Sequence, residues 1–284
     1  MKRYMVRLEG EERRWLEQLV GTGKAAAYKI RHANILLAVD ESEAGPSDAS
    51  KNELKPWRKK MWCIPPEADA EFVCAMENVL EVYKRPYDPR RPVVCLDEKS
   101  KQLVGQVRTP IAARSGKLER YDYEYVRNGT ANLFMMVEPL RGWRHVNVTT
   151  RRTKTDFASQ VKELVDVRFR MAGRITLVMD NLNTHRMSSL YEAFEPREAR
   201  RLIEKIEVVH TPKHGSWLNM AECELSALEK QALGERVGDE PDLRRQVGAW
   251  EDDRNNRSKR IDWQFKTADA RIKLRRLYPQ IQLC

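Results

Sequence analysis

Residues 93–99, VVCLDEK, and 174–181, RITLVMDN, decide how this chain folds. Val93–Leu96 runs apolar into Asp97, and Ile175–Met179 runs apolar into Asp180. Short runs of this kind suit strands buried on both faces, as in parallel sheets. Open sheets deliver functional side chains at the carboxyl ends of such strands. A single aspartate there reads most simply as a cap on the next turn. Two, on strands able to lie side by side, read as a pair at one rim.

Residues 211–230, TPKHGSWLNMAECELSALEK, supply the third element. Pro212, Gly215 and Ser216 predict a turn, followed by a helix carrying acids at 222, 224 and 229. Leu218, Ala221, Leu225 and Leu228 mark its buried face. Glu222 and Glu224 lie about 200° apart on a helix, so only one can face the rim that carries Asp97 and Asp180. Glu222 lies beside Ala221 and Leu225 on the wheel and is the expected partner; Glu224 is expected farther round, toward solvent. Three carboxylates gathered together cannot all stay ionised cheaply without a counter-cation. Mg²⁺ or Mn²⁺ suits oxygen donors. Two such ions about 4 Å apart can clamp the attacking and leaving oxygens of a phosphoryl transfer.

Outward from these strands, residues 121–127 alternate strictly (YDYEYVR) and meet Asn128-Gly129, a strong hairpin signal. Strands are expected at 130–139 and 143–150 and at IEVVH, 206–210. Helices are expected around Phe157, Val161, Leu164 and Val165, over 187–205, and from about 218. A meander followed by alternating helix and strand predicts an α/β fold, a mixed sheet with helices on its faces. Before it, Phe72, Met76, Val79, Leu80 and Tyr83 fall at helical spacing after Pro65 and Pro66. The predicted organisation is a helical segment at 1–40, a linker with the basic run KNELKPWRKK at 41–66, and a catalytic domain at 67–284.

Lys plus Arg number 52 against 42 Asp plus Glu, a net charge of +10, which favours a polyanionic partner through counterion release. A solvated basic surface explains the excess equally well. Residues 254–276 carry nine basic and two acidic side chains with Trp263 and Phe265 interleaved, a pattern that suits DNA or partner contact, or a solvated helix face. The five cysteines form no CxxC pair and no zinc spacing. No apolar run approaches the ~20 residues of a membrane span.

The strings LDEKS, YVRNGTANLF, LVMDNLNTH, TPKHGSWLNMAE and DARIKLRRLYP resemble the bacterial insertion-sequence branch of the mariner-like DDE transposases. The resemblance runs from about residue 51 to the C-terminus, and 1–40 resembles that family's N-terminal segment. It implies an RNase H-like fold, with Asp97, Asp180 and Glu222 as catalytic and metal-binding residues for two Mg²⁺ or Mn²⁺ ions. It implies DNA nicking and strand transfer on double-stranded DNA, at transposon ends and target, by a homodimer in the bacterial cytoplasm. Asn181 and His185 are candidates to hydrogen-bond a metal ligand or touch the scissile phosphate, or else to cap the next helix. Lys213, His214, Ser216, Trp217 and Asn219 lie in a turn before a helix, a favourable place for phosphate; Trp217 reads equally as a packing anchor. Arg127 is a candidate DNA contact at a hairpin tip. Glu98, on the opposite strand face from Asp97, reads as structural or surface. Relatives carry a helix-turn-helix reader where only DESEAGPSDAS, 40–50, stands here, so a truncated protein that binds DNA or transposase and inhibits transposition is the alternative.

Overall fold

A computed structural model describes residues 7–22, 27–38, 40, 42, 65, 67–182 and 185–279. The run KNELKPWRKK and all but two residues of the expected linker lie outside them. The chain divides into two compact units, 1–62 and 63–284.

In the first unit, α1 (Gly10–Thr22) and α2 (Ala27–Ala38) bury Leu16 and Ala33. Asp40 is fully buried and accepts from the Leu8 and Ser42 backbone N–H groups, the Ser42 hydroxyl and the Arg13 guanidinium, so its charge is answered on every side.

The second unit is built on five strands: β1 (Val93–Gln106), β2 (Tyr125–Glu138), β3 (Trp143–Thr149), β4 (Ile175–Met179) and β5 (Ile206–His210). Their order is β3-β2-β1-β4-β5. The first three run antiparallel to their neighbours, while β4 joins β1, and β5 joins β4, in parallel. This is the mixed sheet flanked by helices expected of an RNase H-like α/β domain. The alternation of side chains along each strand sorts two cores onto its two faces. One holds Cys95, Leu133, Met135, Val137 and Val178 against α3 (Ala70–Tyr83), α7 (Met220–Gln231) and α8 (Glu240–Asn256). The other holds Val94, Leu96, Leu177 and Met179 against α4 (Lys154–Glu163), α5 (Ser189–Ala193) and α6 (Pro196–Glu204). A last helix, α9 (Thr267–Lys273), packs near α3.

Three local expectations change. The helix expected after Pro65 begins at Ala70, because Asp69 caps it by accepting from the Phe72 N–H at 2.9 Å. Asn128-Gly129 is not a hairpin turn: β2 runs through it, and the two residues oppose Leu103 alone in the pairing with β1. Gly129, at φ +104°, supplies the left-handed backbone such a bulge requires. The chain instead reverses near Arg114–Lys117, where two backbone hydrogen bonds close the turn. Finally, much of the basic stretch 254–276 is engaged within the unit. Arg254 pairs with Glu224, Arg271 with Glu77, and Trp263 and Phe265 pack against Tyr83 and Trp217.

Glu138, at the end of β2, is 2% exposed; its Oε2 lacks a hydrogen-bond partner, and Arg141 stands 3.8 Å away. Burial pushes its pKa up to about 7, against a smaller lowering by Arg141. The folded state therefore holds a proton that the unfolded chain releases near pH 4.5, and stability falls as pH rises from there through 7. In urea titrations at pH 5 and pH 8, Glu138→Gln should remove this loss, which is on the order of 2–3 kcal/mol. In the sheet core, Leu177→Ala should cost about 2–5 kcal/mol in the same measurement.

Candidate active site

The parallel register pairs Val93 with Thr176, Val94 with Leu177 and Cys95 with Val178. Carried forward two residues, it sets Asp97 beside Asp180, on strands whose axes lie about 4.8 Å apart. Alternation points Asp97 to the face of Cys95, the side on which α7 packs. Helix α7 starts where Asn219 caps it, accepting from the Ala221 N–H at 3.1 Å. The same side chain donates to the Leu96 carbonyl at 2.8 Å and so ties the helix start to the residue before Asp97. Glu222 then lies in the first turn, and Asp97, Asp180 and Glu222 line one cleft of about 870 Å³. Lys99, Ser216, Trp217, Ser226 and Lys230 complete much of its wall.

The electrostatics follow from that crowding. Burial raises the Asp97 carboxyl first; the Glu98 N–H, donating to Oδ1 at 2.8 Å, lowers it; the charges of Asp180, Glu98 and Glu222 raise it again. The outcome is a pKa of about 7. Among the described residues, no three His, Cys, Asp or Glu side chains are gathered closely enough to hold an ion by themselves. The chemistry of the donors nonetheless suits a hard divalent cation: all are carboxylates, and their mutual repulsion is what such a charge relieves. Mg²⁺ typically draws one or two carboxylates and completes its shell with water and substrate oxygens.

His185 is the residue whose role the sequence showed least. It is 1% exposed, stacked near Phe157 with ring centroids 5.1 Å apart. Its Nδ1 lies 2.5 Å from Asp180 Oδ1 and its Nε2 2.6 Å from Glu98 Oε2. Burial pulls the imidazole pKa down, but hydrogen bonding to Asp180, then to Glu98, and the charges of both carry it to about 9. The ring is an imidazolium at neutral pH and bridges Glu98, within β1, to Asp180, just past the end of β4. Glu98 is accordingly no surface residue: it is buried and also meets Arg152 at 3.2 Å. Its position one residue after Asp97 was the available signal; its partner across the sheet was not.

The remaining candidates separate. Trp217 is half-buried, lines the cleft and packs edge-on against Phe265, so it is both wall and anchor. Lys213 and His214 are exposed in the preceding turn, His214 at φ +63°. Asn181 is exposed beside Asp180. Asn219 is fully buried with its amide used internally, so it cannot reach phosphate. Arg127 sits in β2 opposite Val104, seven residues along β1 from Asp97, roughly 23 Å at strand rise, and stacks on Tyr125. It does not join the cleft. Glu224, expected toward solvent, is buried between Arg144 and Arg254.

Removing the imidazolium takes one of the two cations from the buried Glu98, leaving Arg152, and frees the Asp180 carboxylate to rotate. His185→Ala should therefore lower unfolding stability at pH 7 by about 3–5 kcal/mol in chemical denaturation; Glu98→Gln/His185→Gln, which removes both charges, should recover much of it.

Residues 92–244, more than half of the chain, match the family described as DDE superfamily endonuclease. No curated protein matches the sequence. Among solved structures, the Mos1 transposase paired-end complex with left transposon end is similar, with a TM-score of 0.49 and 18% identity over 91% of this chain and 77% of that one. The Mos1 strand transfer complex gives 0.49 and 17% over 91% and 77%. A pre-cleavage Mos1 transpososome gives 0.48 and 16% over 93% and 82%. With Asp97, Asp180 and Glu222 inside or bordering one cleft of the matched region, the chain belongs to the DDE superfamily endonuclease family.

Proposed function

We propose that this chain is the catalytic body of a mariner-like DNA transposase. The observation that carries the reading is the meeting of Asp97 and Asp180, from adjacent parallel strands, with Glu222 from α7 in a single cleft. Asp97, Asp180 and Glu222 are the residues that would hold Mg²⁺ or Mn²⁺, two ions in all. Bound there, such ions neutralise phosphate charge and orient the attacking and leaving oxygens of an in-line displacement. The chain's own groups do the rest by placement, since phosphoryl transfer needs little covalent help from a protein. His185 orients the Asp180 carboxylate; Lys99 and Lys230 present cations to the DNA backbone at the cleft wall; Trp217 bounds the space for the reacting strand.

The reaction class is hydrolysis of a phosphodiester at a transposon end, with water oxygen bonding to phosphorus as the P–O bond opposite breaks. Strand transfer repeats the displacement, with a freed hydroxyl end as nucleophile and target DNA as substrate. The partners are double-stranded DNA and a second copy of the chain, in the bacterial cytoplasm. No described helix is long and apolar enough to cross a membrane.

The eleven residues 40–50 leave no room for a helix-turn-helix reader and favour a second reading, a protein that binds DNA or transposase and inhibits transposition. A nicking assay on supercoiled DNA with cognate ends, in Mg²⁺ or Mn²⁺, separates the two. The chain should nick, and Asp97→Ala, Asp180→Ala and Glu222→Ala should each reduce the rate by about 10³-fold or more. Chelation with EDTA should abolish it. Activity that survives Asp180→Ala sinks the assignment.

A further inference from the structure

We infer that Glu224, clamped between Arg144 and Arg254, is a positioning residue that sets the rotation of α7 and thereby aims Glu222 into the cleft. The inference rests on the reading of Glu222 as a metal-binding carboxylate.

Glu222, Ser226, Glu229 and Lys230 line the cleft at i, i+4, i+7 and i+8, one stripe of α7. At 100° per residue, Glu224 lies about 200° from both Glu222 and Ser226, on the far side of the helix. It is 3% exposed there. Arg254 Nε donates to its Oε2 at 2.9 Å and Nη2 to its Oε1 at 2.6 Å, a two-point grip that fixes the carboxylate plane as well as its position. Arg144 Nε stands 3.0 Å from the same Oε2.

The cations are themselves held by further partners. Arg144 is 0% exposed and also donates to the carbonyls of Gly142 at 2.9 Å and Lys259 at 2.5 Å. Asn255 exchanges hydrogen bonds with the Arg144 backbone at 2.9 and 2.8 Å, joining β3 to the end of α8. Gly142, at φ +75°, lets the β2–β3 turn approach the chain at Ser258, where a Cβ would stand 2.6 Å from backbone atoms. The Arg254 guanidinium rests over the Trp250 ring at 5.2 Å. Glu224 is thus fastened to two elements, β3 and α8, that do not touch the reacting groups.

Asn219 pins the start of α7 to Leu96, and Glu229 meets Lys101 and Lys99 at 2.6 and 3.4 Å near its end. Between them, Ala221, Leu225 and Leu228 hold α7 through apolar contacts, which have no direction, whereas the buried ion cluster adds directional bonds on the side away from the cleft. Burying three charges is a poor way to gain stability, and apolar replacements of similar volume are commonly neutral or better. What such a cluster supplies here is orientation.

That distinction makes the test. In the full chain, the Arg144→Met/Glu224→Leu/Arg254→Leu triple variant should melt at or above the wild-type temperature. Its affinity for Mn²⁺, measured by electron paramagnetic resonance without DNA, should nonetheless weaken about tenfold, in the range seen when groups orienting metal ligands are lost. Arg254→Met, which removes only the partly exposed arm, should shift affinity in the same direction and serves if the triple variant does not fold. Nicking should recover toward the wild-type rate at saturating Mn²⁺. A folded triple variant or Arg254→Met with wild-type Mn²⁺ affinity overturns the positioning role while leaving the site intact. Mn²⁺ binding that Asp180→Ala does not weaken overturns the site itself, and the inference with it.

Discussion

Everything in the site depends on the parallel hydrogen bonding of β1 to β4. Three register pairs, ending at Cys95 and Val178, align β4, which ends one residue before Asp180, with the first part of β1, which carries Asp97 and runs on past it to Gln106. Because side chains alternate with period two, that register puts Asp97 and Asp180 on one face and sends Glu98 to the other. A shift by a single residue would exchange Asp97 for Glu98 on the face that carries the cleft. The apolar runs before the aspartates enforce the alignment, since Val94, Leu96, Leu177 and Met179 are all needed in one core and Cys95 and Val178 in the other.

Holding these acids together carries a cost that the surrounding structure distributes. Asp97 bears it as a carboxyl shifted to about 7, the mark of a group crowded by burial and by like charges. Asp180 is paired instead with the buried ring of His185, whose other nitrogen faces Glu98. Two carboxylates whose side chains leave opposite faces of the sheet, Asp180 and Glu98, thus share one positive ring. The cleft keeps a net demand for positive charge, which Lys99 and Lys230 meet only at its wall.

Helix α7 brings the third carboxylate by a different logic. Its position along the axis comes from the Asn219 cap, tied to Leu96, and its rotation from a charge cluster on the face away from the cleft. Strand register and helix rotation are independent degrees of freedom, so the site needs both constraints. The turn at 212–216 contributes by joining β5 to α7 so that the helix starts beside Asp97 and Asp180.

Several of these features were legible in the sequence because they depend on local periodicity. Apolar runs ending in aspartate announced β1 and β4; the spacing of Leu218, Ala221, Leu225 and Leu228 announced the buried side of α7; and each of those four is buried. Other features depended on partners remote in the chain. Asn128-Gly129 has the composition of a hairpin turn, but pairing with β1 over its whole length keeps β2 extended and turns the pair into a bulge. Glu224 looked solvent-facing on a wheel because a wheel contains no neighbours, while Arg144 and Arg254 come from β3 and α8 to bury it. His185 followed Asp180 closely enough to be noticed, yet its second partner, Glu98, lies 87 positions away and is reached only through the sheet. Sequence alone determined which residues carry charge and which must be buried, because those are properties of side chains and their period. Tertiary structure decided which charges meet, because that depends on strand order and helix rotation, which no local pattern encodes.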